Sequence, residues 1–180
     1  MVTVVPTEHL SFRLLEPNAT DAVLLWELDQ DPEVMRFING GKPTSKTEID
    51  QVFLPRLISY TNPESGWGMW GVFDQQQFVG WILVRPMNFF SERPKLANLE
   101  LGWRFKRSTW GKGIATEAAQ QVMRSIREQT GVTLFSAIAV KENTASIRII
   151  EKLGMQFKYS GIHHDPLGDM QVDTYTVKLD

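Results

Sequence analysis

A strand, a glycine loop and an amphipathic helix follow one another between Leu96 and Ile126, and this run restricts the fold more than any other feature of the chain. Leu99, Leu101, Trp103 and Phe105 alternate with Glu100, Gly102 and Arg104, the period-two pattern of a strand with two unlike faces. Trp110-Gly111-Lys112-Gly113 comes next. Ile114, Ala115, Ala118, Ala119, Val122, Met123 and Ile126 then share one stripe of a helix that Gly131 ends. Closely spaced glycines let a backbone approach a ligand with no side chain in the way. The first helical turn leaves N–H groups unpaired at the positive end of the helix dipole. Together they make a cradle for a phosphate or pyrophosphate, to which Lys112 adds charge and Thr116 a hydroxyl. The alternative is an ordinary glycine turn before a helix, with Lys112 in solvent.

The flanking segments frame this unit. Leu10–Leu15 reads as a first strand, and Thr20-Asp21 opens a helical run to Leu28. Asp31-Pro32-Glu33 has an Asp cap followed by proline at the first helical position. Ser45-x-x-Glu48 is a capping box, and Pro55 predicts a kink or split in the helix that follows. Trp70–Phe73 and Phe78–Val84 are predicted to pair as a hairpin across Asp74–Gln77. Val132–Val140 is apolar enough for a strand buried on both faces. Asn143–Leu153 is a second amphipathic helix, stopped by Gly154, before strands at Gln156–Ile162 and Val172–Lys178. The expected architecture is an α/β (α+β) domain with a central, mixed but mostly antiparallel twisted sheet of about seven strands, flanked by helices. One domain is expected over 1–180, with a core from about residue 8 to 180.

Composition removes several classes of function. With no cysteine, disulfides, thiolate metal sites and cysteine nucleophiles are excluded. Nineteen Lys and Arg against 21 Asp and Glu give a net charge of −2, with no electrostatic footprint for nucleic acid. No apolar run is long enough for a membrane span, and Met1–Pro6 lacks the pattern of a signal peptide, so the default location is the cytoplasm. His163, His164 and Asp165 form a polar cluster, but adjacent histidines on a strand face opposite ways and do not readily share a metal, so no metal is expected. A place in a substrate cleft for one of these histidines is the other reading.

Two rival phosphate motifs fail. No Lys-Ser/Thr pair stands where a P-loop requires it. Gly66-Trp67-Gly68-Met69-Trp70-Gly71 matches G-x-G-x-x-G but leads into a strand, so it is taken as a substrate-side loop and strand start. Trp67, Trp70 and Trp81 either line an acceptor pocket or pack in the core, the commoner fate of such residues.

The run L-E-L-G-W-R-F-K-R-S-T-W-G-K-G-I-A-T-E-A, Leu99 to Ala118, resembles the central motif of the GNAT acetyltransferase superfamily, specifically its RimJ/RimL-like branch. Asn143-Thr144-Ala145-Ser146 and Glu151-Lys152-Leu153-Gly154-Met155 resemble its second motif, in order and at matching separation. Trp110 stands where the wider family has Arg or Gln, as is frequent in this branch. The resemblance implies acetyl-CoA as co-substrate, with pyrophosphate on the N–H groups of Gly111, Gly113, Ala115 and Thr116 and with Lys112 and Ile114 also among the cofactor-binding residues. It implies pairing of the pantetheine arm with the main chain of Phe105, Lys106 and Arg107, phosphate contacts from Arg107 and Lys112, and Asn143 near the thioester. It also implies an amine acceptor, either a protein N-terminus or a small molecule, and a possible homodimer.

Aminolysis of a thioester needs a neutral amine, and an alkyl amine of pKa about 10 is mostly protonated at pH 7. Glu100 is the candidate base, acting through water, against the alternative of a surface glutamate on a half-exposed strand. The tyrosine acid of many relatives would fall at Ile150 and is absent. By resemblance Ser146 takes over protonation of the sulfur, against the alternative of a hydroxyl bonded within its own helical turn. Asn143 has the alternative of a plain N-cap. Acidic lining for a cationic acceptor is sought in Glu64, Glu92, Asp29 and Asp31. The competing functions are a non-catalytic acyl-CoA-binding sensor module and a transferase for a longer acyl group.

Overall fold

The alternation read between Leu96 and Phe105 becomes the fourth strand of a seven-stranded sheet in a computed structural model describing residues 1–180. The strands are β1 (Leu10–Leu14), β2 (Gly68–Asp74), β3 (Gln77–Met87), β4 (Lys95–Phe105), β5 (Leu134–Ala139), β6 (Gln156–His163) and β7 (Met170–Lys178). Their order across the sheet is β1-β2-β3-β4-β5-β7-β6. Every neighbouring pair is antiparallel except β4 and β5. That parallel pair is joined by a crossover through α5 (Ile114–Thr130), as parallel strands require.

Local chemistry sets the element ends. Asn18 caps α1 (Ala19–Leu28), and Asp31 caps α2 (Pro32–Asn39) by accepting from the Glu33 N–H. Ser45 and Glu48 close a capping box on α3 (Lys46–Glu48). The predicted break at Pro55 takes the form of a π-helical stretch, Ile49–Phe53, before α4 (Leu54–Tyr60), since proline brings no N–H to the ladder. In the β2–β3 hairpin Gln75 and Gln76 both adopt positive φ, 46° and 67°, the geometry that matches strand twist. Gly131 ends α5, and α6 (Thr144–Lys152) begins at its cap Asn143. No helix is long and apolar enough to cross a membrane.

The sheet separates two apolar cores. On one face Leu99, Leu101 and Phe105 of β4 pack with Ala118, Val122 and Ile126 of α5 and Ile150 of α6. On the other, Trp81 and Leu83 of β3 pack with Leu25 and Leu28 of α1, Ile49, and Leu57 and Tyr60 of α4. Glu100, Gly102 and Arg104 point to this second face, as the alternation requires.

The Gly66–Gly71 string leads into β2 at Gly68, the expected strand start. Gly66 packs against Val2 and Ile126, on the α5 side of the sheet, while Met69 joins the second core with Leu57 and Tyr60. Trp70 and Trp81 are buried in the two cores, and Trp67 packs against the first. Core packing, the commoner of the two fates, describes these tryptophans.

Candidate active site

β4 and β5 hold together only over three registered pairs, Asn98–Leu134, Leu99–Phe135 and Glu100–Ser136. Beyond Glu100 the strands part. β4 continues to Phe105 beside β3 alone, and β5 continues to Ala139 beside β7 alone. The Lys106 N–H donates to the Val79 carbonyl at 2.9 Å, which fixes the parity of the β3–β4 ladder. Counting back in twos, Arg104, Gly102 and Glu100 bond to β3, while Leu101, Trp103 and Phe105 turn their main-chain groups into the opening. The opening is therefore edged by unpaired donors and acceptors that an extended ligand can satisfy. One of them is already used, because the Trp110 indole folds back and donates to the Phe105 carbonyl at 3.0 Å.

The glycine loop closes the wide end of this opening. Gly111 and Gly113 have φ of 72° and 77°, a region that costs other residues, and a Cβ built on either meets nothing within 4 Å. From Gly111 to Thr116 no main-chain N–H has an acceptor within the chain; the helical ladder begins with the Glu117 N–H on the Gly113 carbonyl. Gly113, the N-cap of α5, brings no capping side chain. Six consecutive free donors at a helix N-terminus, with open space in front of them, fit a diphosphate. Lys112 is exposed beside them. Arg107 is mostly exposed, and its Nε pairs with Asp31 at 3.0 Å while its other nitrogens have no partner in the chain.

Asn143 and Ser146 stand at the start of α6, just past β5. The Asn143 side-chain oxygen accepts from the Ser146 N–H at 3.2 Å, as an N-cap does. The Ser146 hydroxyl makes no hydrogen bond within the chain, so the alternative of a hydroxyl consumed by its own helix turn does not describe it.

Glu100 sits at the vertex of the split and is not a surface glutamate. It is 4% exposed and faces Arg85 on the neighbouring strand, with Nε to Oε2 at 3.0 Å and Nη2 to Oε1 at 3.4 Å. Burial works against the charge of Arg85, but the field and hydrogen bonds of Glu100 outweigh it and raise the arginine's pKa. Beside the vertex the Ser136 hydroxyl, fully buried, donates to the Asn98 side chain at 2.9 Å and lies 2.8 Å from the Thr176 hydroxyl.

Side chains from distant parts of the sequence surround this ion pair. Tyr60, at the end of α4, is 5% exposed, and its ring centroid lies 5.5 Å from the Arg85 guanidinium. Burial pushes the Tyr60 hydroxyl up to about 12, so it is a proton donor at neutral pH. Phe90, in the loop after β3, lies under both Arg85 and Arg56, at 5.3 and 4.2 Å. Arg56 reaches Asp165 in the β6–β7 loop at 2.9 Å. Burial alone would raise the pKa of Asp165; the Arg56 hydrogen bond and the Leu167 N–H outweigh it and hold it below the usual carboxylate range. A cavity of about 200 Å³ opens between the loop after β3 and the β6–β7 hairpin, with Asn88, Tyr159, His163 and Thr174 in its wall. His164 turns away to Asp169 at 2.9 Å. A larger cavity of about 560 Å³ lies at the opposite, β1 edge, against Val2, Phe12 and Trp70, far from the split.

Sequence reasoning passed over Arg85, Arg56 and Tyr60. A signal for Arg85 was present, since it is the single charge in the apolar run Phe78–Met87. Three of the acidic residues sought as acceptor lining are engaged elsewhere: Asp29 with Arg104 and Thr44, Asp31 with its helix cap and Arg107, Glu64 with the N-terminal ammonium.

Residues 9–156 match the family model for the acetyltransferase (GNAT) domain. A transacetylase of Aspergillus fumigatus, named FsC-acetyl coenzyme A-N(2)-transacetylase, is 31% identical over 132 residues, 72% of this chain and 55% of its own length. The chain thus spans about half of that relative. Among solved structures, the RimL ribosomal L7/L12 alpha-N-protein acetyltransferase in complex with coenzyme A superposes with a TM-score of 0.74 at 16% identity, over 98% of each chain. The aminoglycoside acetyltransferase AAC(6')-Ib in complex with coenzyme A superposes with a TM-score of 0.73 at 15% identity, over 94% of each chain. At such identities these structures establish a common fold.

Proposed function

This chain belongs to the GNAT acetyltransferase family, and from that premise we propose that it is an N-acetyltransferase carrying acetyl from acetyl-CoA to a primary amine by direct attack on the thioester. What carries the reading is the run of six acceptor-free N–H groups from Gly111 to Thr116 beside the parted edge of β4. The first suits a diphosphate, and the second suits an extended amide-bearing arm that adds to the sheet edge like a strand.

Each residue then has a definite task. The cradle of Gly111–Thr116 fixes the phosphates, and the free groups of Trp103 and the Phe105 N–H align the arm so that the thioester reaches the vertex at Glu100. Holding two reactants in order removes about 7–11 kcal/mol of barrier. Glu100 has two of its lone-pair sites on Arg85 and others left to accept from the amine or a bridging water. As the amine nitrogen bonds to the acyl carbon, the carbon–sulfur bond breaks and the amine proton leaves toward Glu100. The Ser146 hydroxyl, with no partner of its own, gives a proton to the departing sulfur and regains one from the protonated Glu100 through water, and Asn143 holds the arm near it. Trp110 ahead of the glycines and Ile150 in place of the family's tyrosine favour the RimJ/RimL-like branch.

Calorimetric titration with CoA and acetyl-CoA, followed by thiol-release assays over a panel of amines, tests this. Binding lost in Gly113→Asp together with turnover supports the transferase. Binding without turnover on any amine would make the chain an acyl-CoA-binding module, and faster reaction with propionyl- or succinyl-CoA would replace acetyl by a longer acyl group.

A further inference from the structure

Two side chains at the vertex of the split are more than nine-tenths buried and carry polar atoms that nothing in the chain satisfies. The Arg85 side chain is 9% exposed, and its Nη1 has no acceptor. Tyr60 is 5% exposed, and its hydroxyl has no hydrogen-bond partner. Neither atom is sealed from solvent, so these donors, open together on the face of Glu100, are available to a ligand that enters there.

The geometry of Arg85 says what kind. Glu100 occupies the side edge of the guanidinium, through Nε and Nη2. The end edge, Nη1 with the second proton of Nη2, remains, and its parallel donors match a carboxylate. The Phe90 and Tyr60 ring centroids lie 5.3 and 5.5 Å from the guanidinium carbon, within cation–π range. Arg56, over the same Phe90 ring at 4.2 Å, spends one nitrogen on Asp165 and keeps others free.

Charge balance narrows the acceptor further. Glu100 is matched by Arg85 and Asp165 by Arg56, one for one. Asp29, Asp31 and Glu64 are tied up away from the vertex. A polycation would bring several ammonium groups to a vertex whose two carboxylates, Glu100 and Asp165, each already face an arginine, with Glu92 alone unpartnered and exposed in the loop after β3. A zwitterion is the complement of a buried ion pair, because each of its charges meets the opposite one and no net charge enters the site.

Resting on the transferase reading above, we propose that the acceptor is a small amino acid-like zwitterion, a primary amine with a carboxylate within one or two carbons. Its amine meets Glu100, and its carboxylate is received by the end edge of Arg85, with Tyr60 donating a further hydrogen bond. A peptide N-terminus, whose α-carboxyl is an amide, lacks the group this edge is built for.

The test compares kcat/KM of the full chain for α-amino acids, β-alanine and the matching carboxamides, with acetyl-CoA saturating and thiol release as the readout. The free acid of the best acceptor is expected to exceed its carboxamide at least tenfold. Arg85→Lys keeps a charge beside Glu100 but loses the paired donors, and is expected to bring that ratio close to one while CoA titration verifies the folded cradle. Carboxamides, N-terminal peptides or polyamines reacting as well as the acids would overturn the proposal while leaving the transferase reading intact. Acetyl-CoA binding with no turnover on any amine would overturn the transferase reading itself.

Discussion

Arg85 Nε donates to Glu100 Oε2 at 3.0 Å, from one strand to the next, at the last level where β4 still touches β5. Fifteen residues separate the two in the chain, and only the hairpin register brings them together. Removing the charge of Glu100 leaves a buried guanidinium without its counter-ion. Glu100→Gln is therefore expected to cost roughly 3 kcal/mol of stability, read by urea denaturation. The same substitution is expected to lower kcat about 100-fold. An unchanged rate in a folded variant would remove Glu100 from the chemistry.

Gly113 and Gly131 offer a matched comparison. Both lie in the left-handed region, at φ of 77° and 75°, and both have open space where a Cβ would go. Alanine at either position is expected to cost about 1 kcal/mol of backbone strain. Gly113→Asp adds a negative charge in front of the free donors of α5 and is expected to weaken CoA binding at least 100-fold by calorimetry. Gly131→Ala, at the far end of the same helix, is expected to leave that affinity alone.

Ser146 has a hydroxyl that supports nothing else in the fold. Ser146→Ala is expected to change stability by less than about 0.5 kcal/mol. Its effect belongs in single-turnover rates, expected to fall 10- to 100-fold with CoA affinity unchanged. A wild-type rate would leave Ser146 as a residue of the first helical turn and nothing more.

Asp21 gives the pH prediction. It is 1% exposed and accepts from Arg13 at 2.7 and 2.6 Å and from the Glu16 N–H at 2.7 Å. Burial by itself would raise its pKa, but the Arg13 and Glu16 hydrogen bonds outweigh that and lower it from 3.8. A depressed carboxylate stabilises the fold at pH values above its unfolded pKa, and that contribution disappears as pH falls through the folded value. Asp21→Asn is expected to cost about 2 kcal/mol at pH 7. The gap to wild type should narrow steadily below pH 3.8, the ordinary value for the group. Urea curves at several pH values check it, and a gap independent of pH would mean the loss comes from packing.

What could be read from the sequence was whatever local chemistry dictates. Alternation in Leu99–Phe105, the glycines at 111 and 113, and the caps at Asp31, Ser45 and Asn143 each report a conformation that their immediate neighbours enforce. The Gly66–Gly71 string could be read as the start of a strand, but not as to its face, because loop glycines look alike until packing places them, and Gly66 rests on Ile126. Glu100 was legible as a residue of interest but not as a buried one, because its burial depends on Arg85 across the register. Arg107 was assigned to phosphate by resemblance, and its pairing with Asp31 across the fold could not be read from the sequence. Tyr60, Phe90 and Asp165 meet only through the assembly of α4, the loop after β3 and the β6–β7 loop, and no spacing in the chain encodes that meeting.

The parting of β4 and β5 makes occupancy and rigidity two readings of a single equilibrium. Where two strands separate inside a sheet, the chain supplies every member of the structure but one, and a molecule lodged along Leu101–Phe105 becomes that missing member. It binds only the folded form, so at 100 times its dissociation constant it adds about 2.7 kcal/mol to the unfolding free energy. The Trp103 and Phe105 amides, free of partners when the slot is empty, would then exchange with solvent as slowly as those in the middle of a continuous sheet. The wedge left by two diverging strands is thus a keystone position, and a ligand seated in it would be the load that locks the arch.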